Sequence, residues 1–202
     1  YETSFKGLSN VYFYGNPRSA LDRNIDKKDL SEVERLNLDT DRKIVLCVMG
    51  SQGSTAMNAV FKDMLQTMKK IDYQIIIVTG TTNYDAFIKD LNPVENVVVI
   101  PYVNQALLLN HIDLIVARSG ASTITEIASF NIPSILIPSP YVANNHQYYN
   151  AKALADKAAT ILVEESGLNG TMLYKLIDST LNDSQKMETL SKNLETFKTP
   201  DV

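Results

Sequence analysis

Apolar runs of about five residues recur along this chain, and between them the apolar positions fall at helical spacing. Residues 43–49, Lys-Ile-Val-Leu-Cys-Val-Met, predict a buried strand, followed by a glycine-containing turn and a helix over about 55–70. Further strands are predicted at 74–79, 96–100, 113–117, 133–137 and 159–163. Helices over about 84–91, 104–110, 123–130 and 146–157 separate them, and helical segments at 169–181 and 185–197 follow. Strands that are apolar throughout, rather than alternating, are those of a parallel sheet covered by helices on both faces. The regular strand–helix alternation predicts an α/β domain with a doubly wound parallel sheet, Rossmann-like in build. In such sheets ligands bind beyond the carboxyl ends of the strands. The loops after Met49, Thr79, Ile100, Ala117 and Ile137 are therefore the places to look for chemistry.

Residues 1–42 break the alternation. A strand at 10–14, a turn at Gly15-Asn16-Pro17 and a polar, helix-like stretch at 22–36 predict an interdomain connection packed on the domain proper at 43–202. The sequence opens on Tyr1 and not on methionine, so a piece of a longer protein is expected.

Composition narrows the classes. With 45% hydrophobic and 21% charged residues, the chain is neither disordered nor a coiled coil. Its 19 basic residues are scattered among 23 acidic ones for a net charge of −4, which speaks against a nucleic-acid surface. Cys47 is the only cysteine, so there is no internal disulfide framework, and a reducing compartment is expected. His111 and His146 lie far apart with no cysteine cluster beside them, leaving a zinc site without ligands. The apolar runs fall far short of the roughly 20 residues that span a bilayer, and no signal peptide is visible. A soluble intracellular domain is the expectation.

Three of the loops carry polar patterns. Gly50-Ser51-Gln52-Gly53-Ser54 follows the first strand: its glycines allow a sharp turn and close backbone approach, and the next helix N-terminus suits a phosphate. The same residues also fit a plain turn with Ser54 as N-cap. The G-x-G-x-x-G spacing of a dinucleotide fold is absent, and the second strand ends in Thr79-Gly80 without a ribose-holding acid. After the fourth strand comes Arg118-Ser119-Gly120-Ala121-Ser122-Thr123, with Glu126 one turn into the helix. Glu126 can accept hydrogen bonds from two vicinal hydroxyls; equally, Thr123-Ile124-Thr125-Glu126 has the spacing of a capping box. After the fifth strand, Gln147 and Asn150 share a helix face and can present their amides together, while Asn144 or Asn145 can cap that helix. His146 has no acidic neighbour to orient it. Asp39-Thr40-Asp41 matches the D-x-D pattern of metal-dependent sugar transferases, but it precedes the first strand and reads as a polar turn at the wrong end of the sheet. No G-x-S-x-G elbow is present.

Four segments taken in order are similar to the donor-binding, carboxyl-terminal half of a GT-B glycosyltransferase, the MurG family in particular. They are Gly15-Asn16-Pro17-Arg18, Gly50-Ser51-Gln52-Gly53, Arg118 through Glu126, and His146-Gln147 with Asn150. The resemblance covers nearly the whole chain. It implies inverting transfer of N-acetylglucosamine from UDP-GlcNAc to undecaprenyl-pyrophosphoryl-MurNAc-pentapeptide in peptidoglycan synthesis, without cofactor or metal. It implies that Ser51 and Gln52 meet the diphosphate or sugar, that Ala121, Ser122 and Thr123 line the phosphate path, and that Glu126 holds the ribose. Tyr102 or Val103 would contact the uracil, and Gln147 and Asn150 would face the nucleotide-sugar. Arg18 is the basic residue of the first segment, one position earlier than in members reading Gly-Asn-Pro-Val-Arg. The family's amino-terminal half, which serves the lipid-linked acceptor and the cytoplasmic face of the membrane, has no match in this sequence. Catalytic residues are expected there, so these 202 residues alone are expected to be inactive. Two other readings stand: a nucleotide-sugar-binding subunit working with a separate membrane partner, and half of a UDP-GlcNAc epimerase, for which no catalytic acid pair is visible.

Overall fold

A computed structural model describes residues 29–198. The expected strand at 10–14, the turn after it and Arg18 lie outside the described residues. Within them, six strands form one parallel sheet: β1 (Ile44–Val48), β2 (Gln74–Val78), β3 (Val97–Ile100), β4 (Leu114–Ala117), β5 (Ser134–Leu136) and β6 (Ile161–Leu162). Their spatial order is β3-β2-β1-β4-β5-β6, so the chain winds outward from β1 in one direction, then returns and winds in the other. The switch point lies between β1 and β4. There Val48 is in register with both Val78 and Ala117, so three strands end level and deliver their loops to one edge.

The central strands show why this sheet is buried on both sides. Leu46, Val48, Ile76, Val78 and Ile115 point into one apolar layer, while Val45, Cys47, Ile75, Ile77, Leu114 and Val116 point into the other. Each fully buried side chain of this kind contributes about 1.5–3 kcal/mol. Polar substitution on either face would therefore be costly.

The covering helices are α1 (Ser31–Arg35), α2 (Thr55–Thr67), α3 (Tyr84–Ile88), α4 (Gln105–Leu108), α5 (Ala121–Phe130), α6 (His146–Ala155), α7 (Gly170–Leu181) and α8 (Ser184–Leu194). Phe61 and Met64 of α2 and Leu173 and Ile177 of α7 fill one layer. The two helices touch closely: a Cβ on Gly170 would lie 2.0 Å from the Met64 nitrogen, and Asp63 Oδ2 accepts from the Gly170 N–H at 2.6 Å. On the opposite layer, Ile127 of α5, Leu154 of α6 and Leu194 of α8 pack on the sheet.

Some boundaries differ from the sequence expectation. The helix expected at 123–130 starts two residues earlier, because Gly120 is extended (φ −66°, ψ 152°) and serves as its N-cap. The helix expected at 104–110 divides into α4 and a 3-10 turn, Leu109–His111. The strand expected at 159–163 pairs over Ile161–Leu162 only. Asp39 lies at the amino edge of the sheet, where its N–H and C=O bond the side-chain amide of Gln74 at 2.9 and 2.7 Å. No helix among the described residues is long and apolar enough to cross a membrane.

Candidate ligand-binding cleft

At the carboxyl edge of the sheet, a cleft of about 380 Å³ opens over the ends of β1 and β2, beside the switch point. Its floor is Val48 and Val78. One wall is the Gly50-Ser51 turn, and the opposite wall is the segment from Tyr102 to Ala106 after β3. Ser122, Thr123 and Glu126 of α5 close the third side.

The Gly50–Gly53 turn is held tightly against its neighbour. Gly53 has φ +73°, and a Cβ there would sit 2.0 Å from the Thr79 carbonyl oxygen; the reciprocal Cβ on Gly80 would sit 2.3 Å from that of Gln52. Only glycines permit these two turns to touch. Ser54 caps α2, its hydroxyl accepting from the Met57 N–H at 3.4 Å.

The start of α5 is different. Gly120 offers no side-chain cap, and the first helical hydrogen bond comes from Ile124 N to Gly120 O at 3.0 Å. The N–H groups of Ala121, Ser122 and Thr123 therefore have no partner within the helix, and they carry its partial positive charge at the cleft wall. Such a helix end is suited to an anion.

Glu126 lies within α5 and is 5% exposed. Because the helix starts at Ala121, Thr123 and Glu126 are already inside it, and the capping-box alternative falls away. The Glu126 carboxylate accepts from Gln105 Nε2 at 2.8 Å. Among the described residues, it is the sole carboxylate on the cleft lining, which carries no lysine, arginine or histidine.

Arg118, at the end of β4, braces this edge from below. Its guanidinium donates to the Ile137 carbonyl at 2.9 Å and to Ser54 Oγ at 3.1 Å, and it forms a buried ion pair with Glu165 in the loop after β6. The loops after β1, β4, β5 and β6 are thus tied to one side chain.

Of the sequence-predicted residues, the structure brings Ser51, Tyr102, Val103, Ser122, Thr123 and Glu126 to the cleft. Tyr102 is exposed at the rim (62%), while Val103 is buried in the wall. Gln52 and Ala121 are exposed just outside the lining. Gln147 and Asn150 are engaged behind it: Gln147 Oε1 accepts from Ser139 N at 2.9 Å, and Asn150 Nδ2 donates to Ser119 O at 3.0 Å. They fasten α6 to the turns after β4 and β5. Exposed His146 bonds its local Ala143 carbonyl at 2.9 Å. Sequence reasoning passed over Asn104, Gln105 and Ala106, although they open a predicted helix on the binding edge. It also missed Glu165, whose loop was not among those searched. Among the described residues, no group of three or more His, Cys, Asp and Glu side chains is placed to hold a metal ion.

An all-parallel, doubly wound sheet with an uncapped helix N-terminus at its switch-point cleft defines an α/β domain of the nucleotide-binding type. Residues 44–202 match the glycosyltransferase family 28 C-terminal domain, and the chain belongs to that family. Over 201 residues it is 38% identical to the UDP-N-acetylglucosamine--N-acetylmuramyl-(pentapeptide) pyrophosphoryl-undecaprenol N-acetylglucosamine transferase of Halalkalibacterium halodurans, covering 98% of this chain and 55% of that protein. It is 36% identical over 196 residues to the protein of the same name from Bacillus subtilis, covering 95% and 53%. The chain thus spans about half the length of these curated relatives. Among solved structures, it superposes on MurG of Acinetobacter baumannii with a TM-score of 0.69 at 25% identity, covering 85% of this chain and 51% of that one. Its six-stranded sheet is that of the carboxyl-terminal domain of GT-B glycosyltransferases.

Proposed function

We propose that this chain is the donor-binding half of an inverting N-acetylglucosaminyltransferase and that its cleft takes UDP-GlcNAc. The observation that carries the reading is the convergence of Ser51, Tyr102, Val103, Ser122, Thr123 and Glu126 on one cleft beside the uncapped end of α5. The diphosphate lies at the α5 N-terminus and the Gly50–Gly53 turn, the ribose hydroxyls donate to Glu126, and the uracil rests against Tyr102 and Val103. The names of the relatives support the donor, and their greater length supports a second half in the same polypeptide. Residues 43–202 then form the UDP-sugar-binding domain, and residues 1–42 the connection to that half.

For the whole enzyme the acceptor is the lipid-linked muramyl-pentapeptide, reached from the cytoplasmic face of the membrane through the other half. The acceptor hydroxyl attacks the anomeric carbon as UDP departs from the opposite face. Negative charge growing on the diphosphate is met by the fixed N–H groups of α5, which need no rearrangement during the reaction. The 202-residue chain should bind donor without transferring sugar, since the cleft's polar groups are committed to the nucleotide and the acceptor must be held elsewhere.

Calorimetric titration of the chain with UDP-GlcNAc, UDP, ADP and ADP-glucose tests the binding. Uridine nucleotides should bind more tightly; equal or tighter binding of the adenosine nucleotides overturns the reading.

A further inference from the structure

We infer that Gln105 is a positioning residue that sets the cleft's preference for a ribonucleotide, by fixing the carboxylate of Glu126. The inference rests on the reading of the cleft as a uridine nucleotide site. Gln105 opens α4, on the loop after β3, and Glu126 lies in α5, after β4. The two side chains belong to different βα units, 21 residues apart, and meet on the cleft wall through Nε2–H···Oε2 at 2.8 Å.

The chemistry of that bond matters more than its existence. A lysine or arginine in the same place would neutralise Glu126 and compete with the ligand for it. An amide donor is uncharged, so its bond takes one acceptor position and brings no positive charge of its own to the carboxylate. Hydrogen bonds from hydroxyls to an ionised acceptor are among the stronger ones. The bond also restrains a side chain with several rotatable torsions, so less conformational freedom remains to be lost when a diol docks. Glu126 is buried beneath the cleft surface, where a carboxylate turned a few tens of degrees would present one oxygen rather than a pair to adjacent hydroxyls. Gln105 therefore acts on the ribose 2′- and 3′-hydroxyls through Glu126, without needing to touch the ligand.

The test is a cycle between protein and ligand variants on the 202-residue chain. UDP, 2′-deoxy-UDP and 2′,3′-dideoxy-UDP are titrated against the unaltered chain, Gln105→Met, Glu126→Ala and the double variant. Methionine matches glutamine in length and lacks the donor, and Gln105→Asn, one methylene shorter, serves as a second variant. In both single Gln105 variants UDP should bind about tenfold more weakly, the scale of one lost bond to a charged acceptor, with dideoxy-UDP unchanged. In the Glu126→Ala background, Gln105→Met should have no further effect, because the residues act as a unit. A purely structural role would weaken all three ligands alike, and that outcome overturns the inference. So does full retention of the preference for UDP over dideoxy-UDP in Gln105→Met and Gln105→Asn. Failure of the unaltered chain to bind UDP overturns the functional reading itself, and the inference with it.

Discussion

Arg118 and Glu165, 47 residues apart in sequence, form an ion pair in which the two side chains are 9% and 11% exposed. Burying two charges is costly, and the pair holds because the arginine's other donors are also used, on Ser54 and the Ile137 carbonyl. Removing one partner strands the other. Glu165→Ala should therefore cost about 3 kcal/mol or more, in the range of broken buried pairs. Glu165→Gln keeps an acceptor for the guanidinium and should cost about 1–2 kcal/mol. Urea unfolding of the two variants checks this; losses below about 0.5 kcal/mol for both would show that water substitutes freely for the carboxylate.

The touching turns at Gly53 and Gly80 give a second test of the same edge. Alanine at position 53 meets both a left-handed backbone (φ +73°) and the Thr79 carbonyl, so Gly53→Ala should cost about 3 kcal/mol or more, the sum of strain and overpacking. Gly50 also has positive φ (+89°), yet a Cβ there meets nothing within 4 Å. Gly50→Ala should cost only about 1–2 kcal/mol, the backbone term alone. Thermal denaturation of the pair separates the two contributions, and equal shifts in melting temperature would contradict the close contact.

Cys47 sits in the middle of β1 with no exposed surface, and burial pushes its thiol well above the ordinary range. Burial also raises the Tyr73 phenol, with Asp178 adding to the effect. Both groups keep their protons in the folded chain at pH values where the unfolded chain releases them. Their contribution is complete below the unfolded values, about 8.5 for the thiol and about 10 for the phenol, and falls as pH rises above them. Stability should decline above pH ~8.5 by up to about 1.4 kcal/mol per unit from the thiol, and more steeply above ~10. A thiol reagent should react with the native chain only as fast as it unfolds. Rapid modification under native conditions would place Cys47 outside the core.

What was legible in the sequence followed from local pattern. Uniformly apolar runs such as Ile75-Ile76-Ile77 marked strands buried on both faces, and their alternation with helices gave the parallel sheet and its binding edge. The spacing of Thr123 and Glu126, by contrast, fitted a cap better than a ligand. The extended conformation of Gly120, which starts the helix two residues early, removes the cap. Gln147 and Asn150 share a helix face as their spacing predicts, but nothing local shows that this face meets Ser119 and Ser139. The pairs Arg118–Glu165 and Gln105–Glu126 are joined through the order of strands in the sheet. They leave no periodic trace in the sequence, so they become visible only once the fold is drawn.

The charge arrangement of the cleft bears on metal dependence. A nucleoside diphosphate brings negative charge that must be offset by a cation, by basic side chains or by backbone dipoles. Among the described residues, the cleft lining has no lysine or arginine, and its one carboxylate, Glu126, is bonded to Gln105. The lining therefore has, among the described residues, no carboxylate pair able to bridge a cation to a diphosphate. The D-x-D residues Asp39 and Asp41 are at the other edge of the sheet, with Asp39 bonded to Gln74 at the start of β2. Among the described residues, the N–H groups at the start of α5, which have no partner within the helix, and the backbone of the Gly50–Gly53 turn are the positive partners on offer. Uridine diphosphate should accordingly bind with the same affinity in EDTA and in millimolar magnesium or manganese. It should also weaken only mildly with added salt, since fixed dipoles at a cleft wall are screened less than exposed lysines. Titrations in the two buffers decide the matter. A loss of binding in EDTA that manganese restores would mean that the diphosphate carries its cation into the cleft, and that Glu126 serves that ion rather than the ribose.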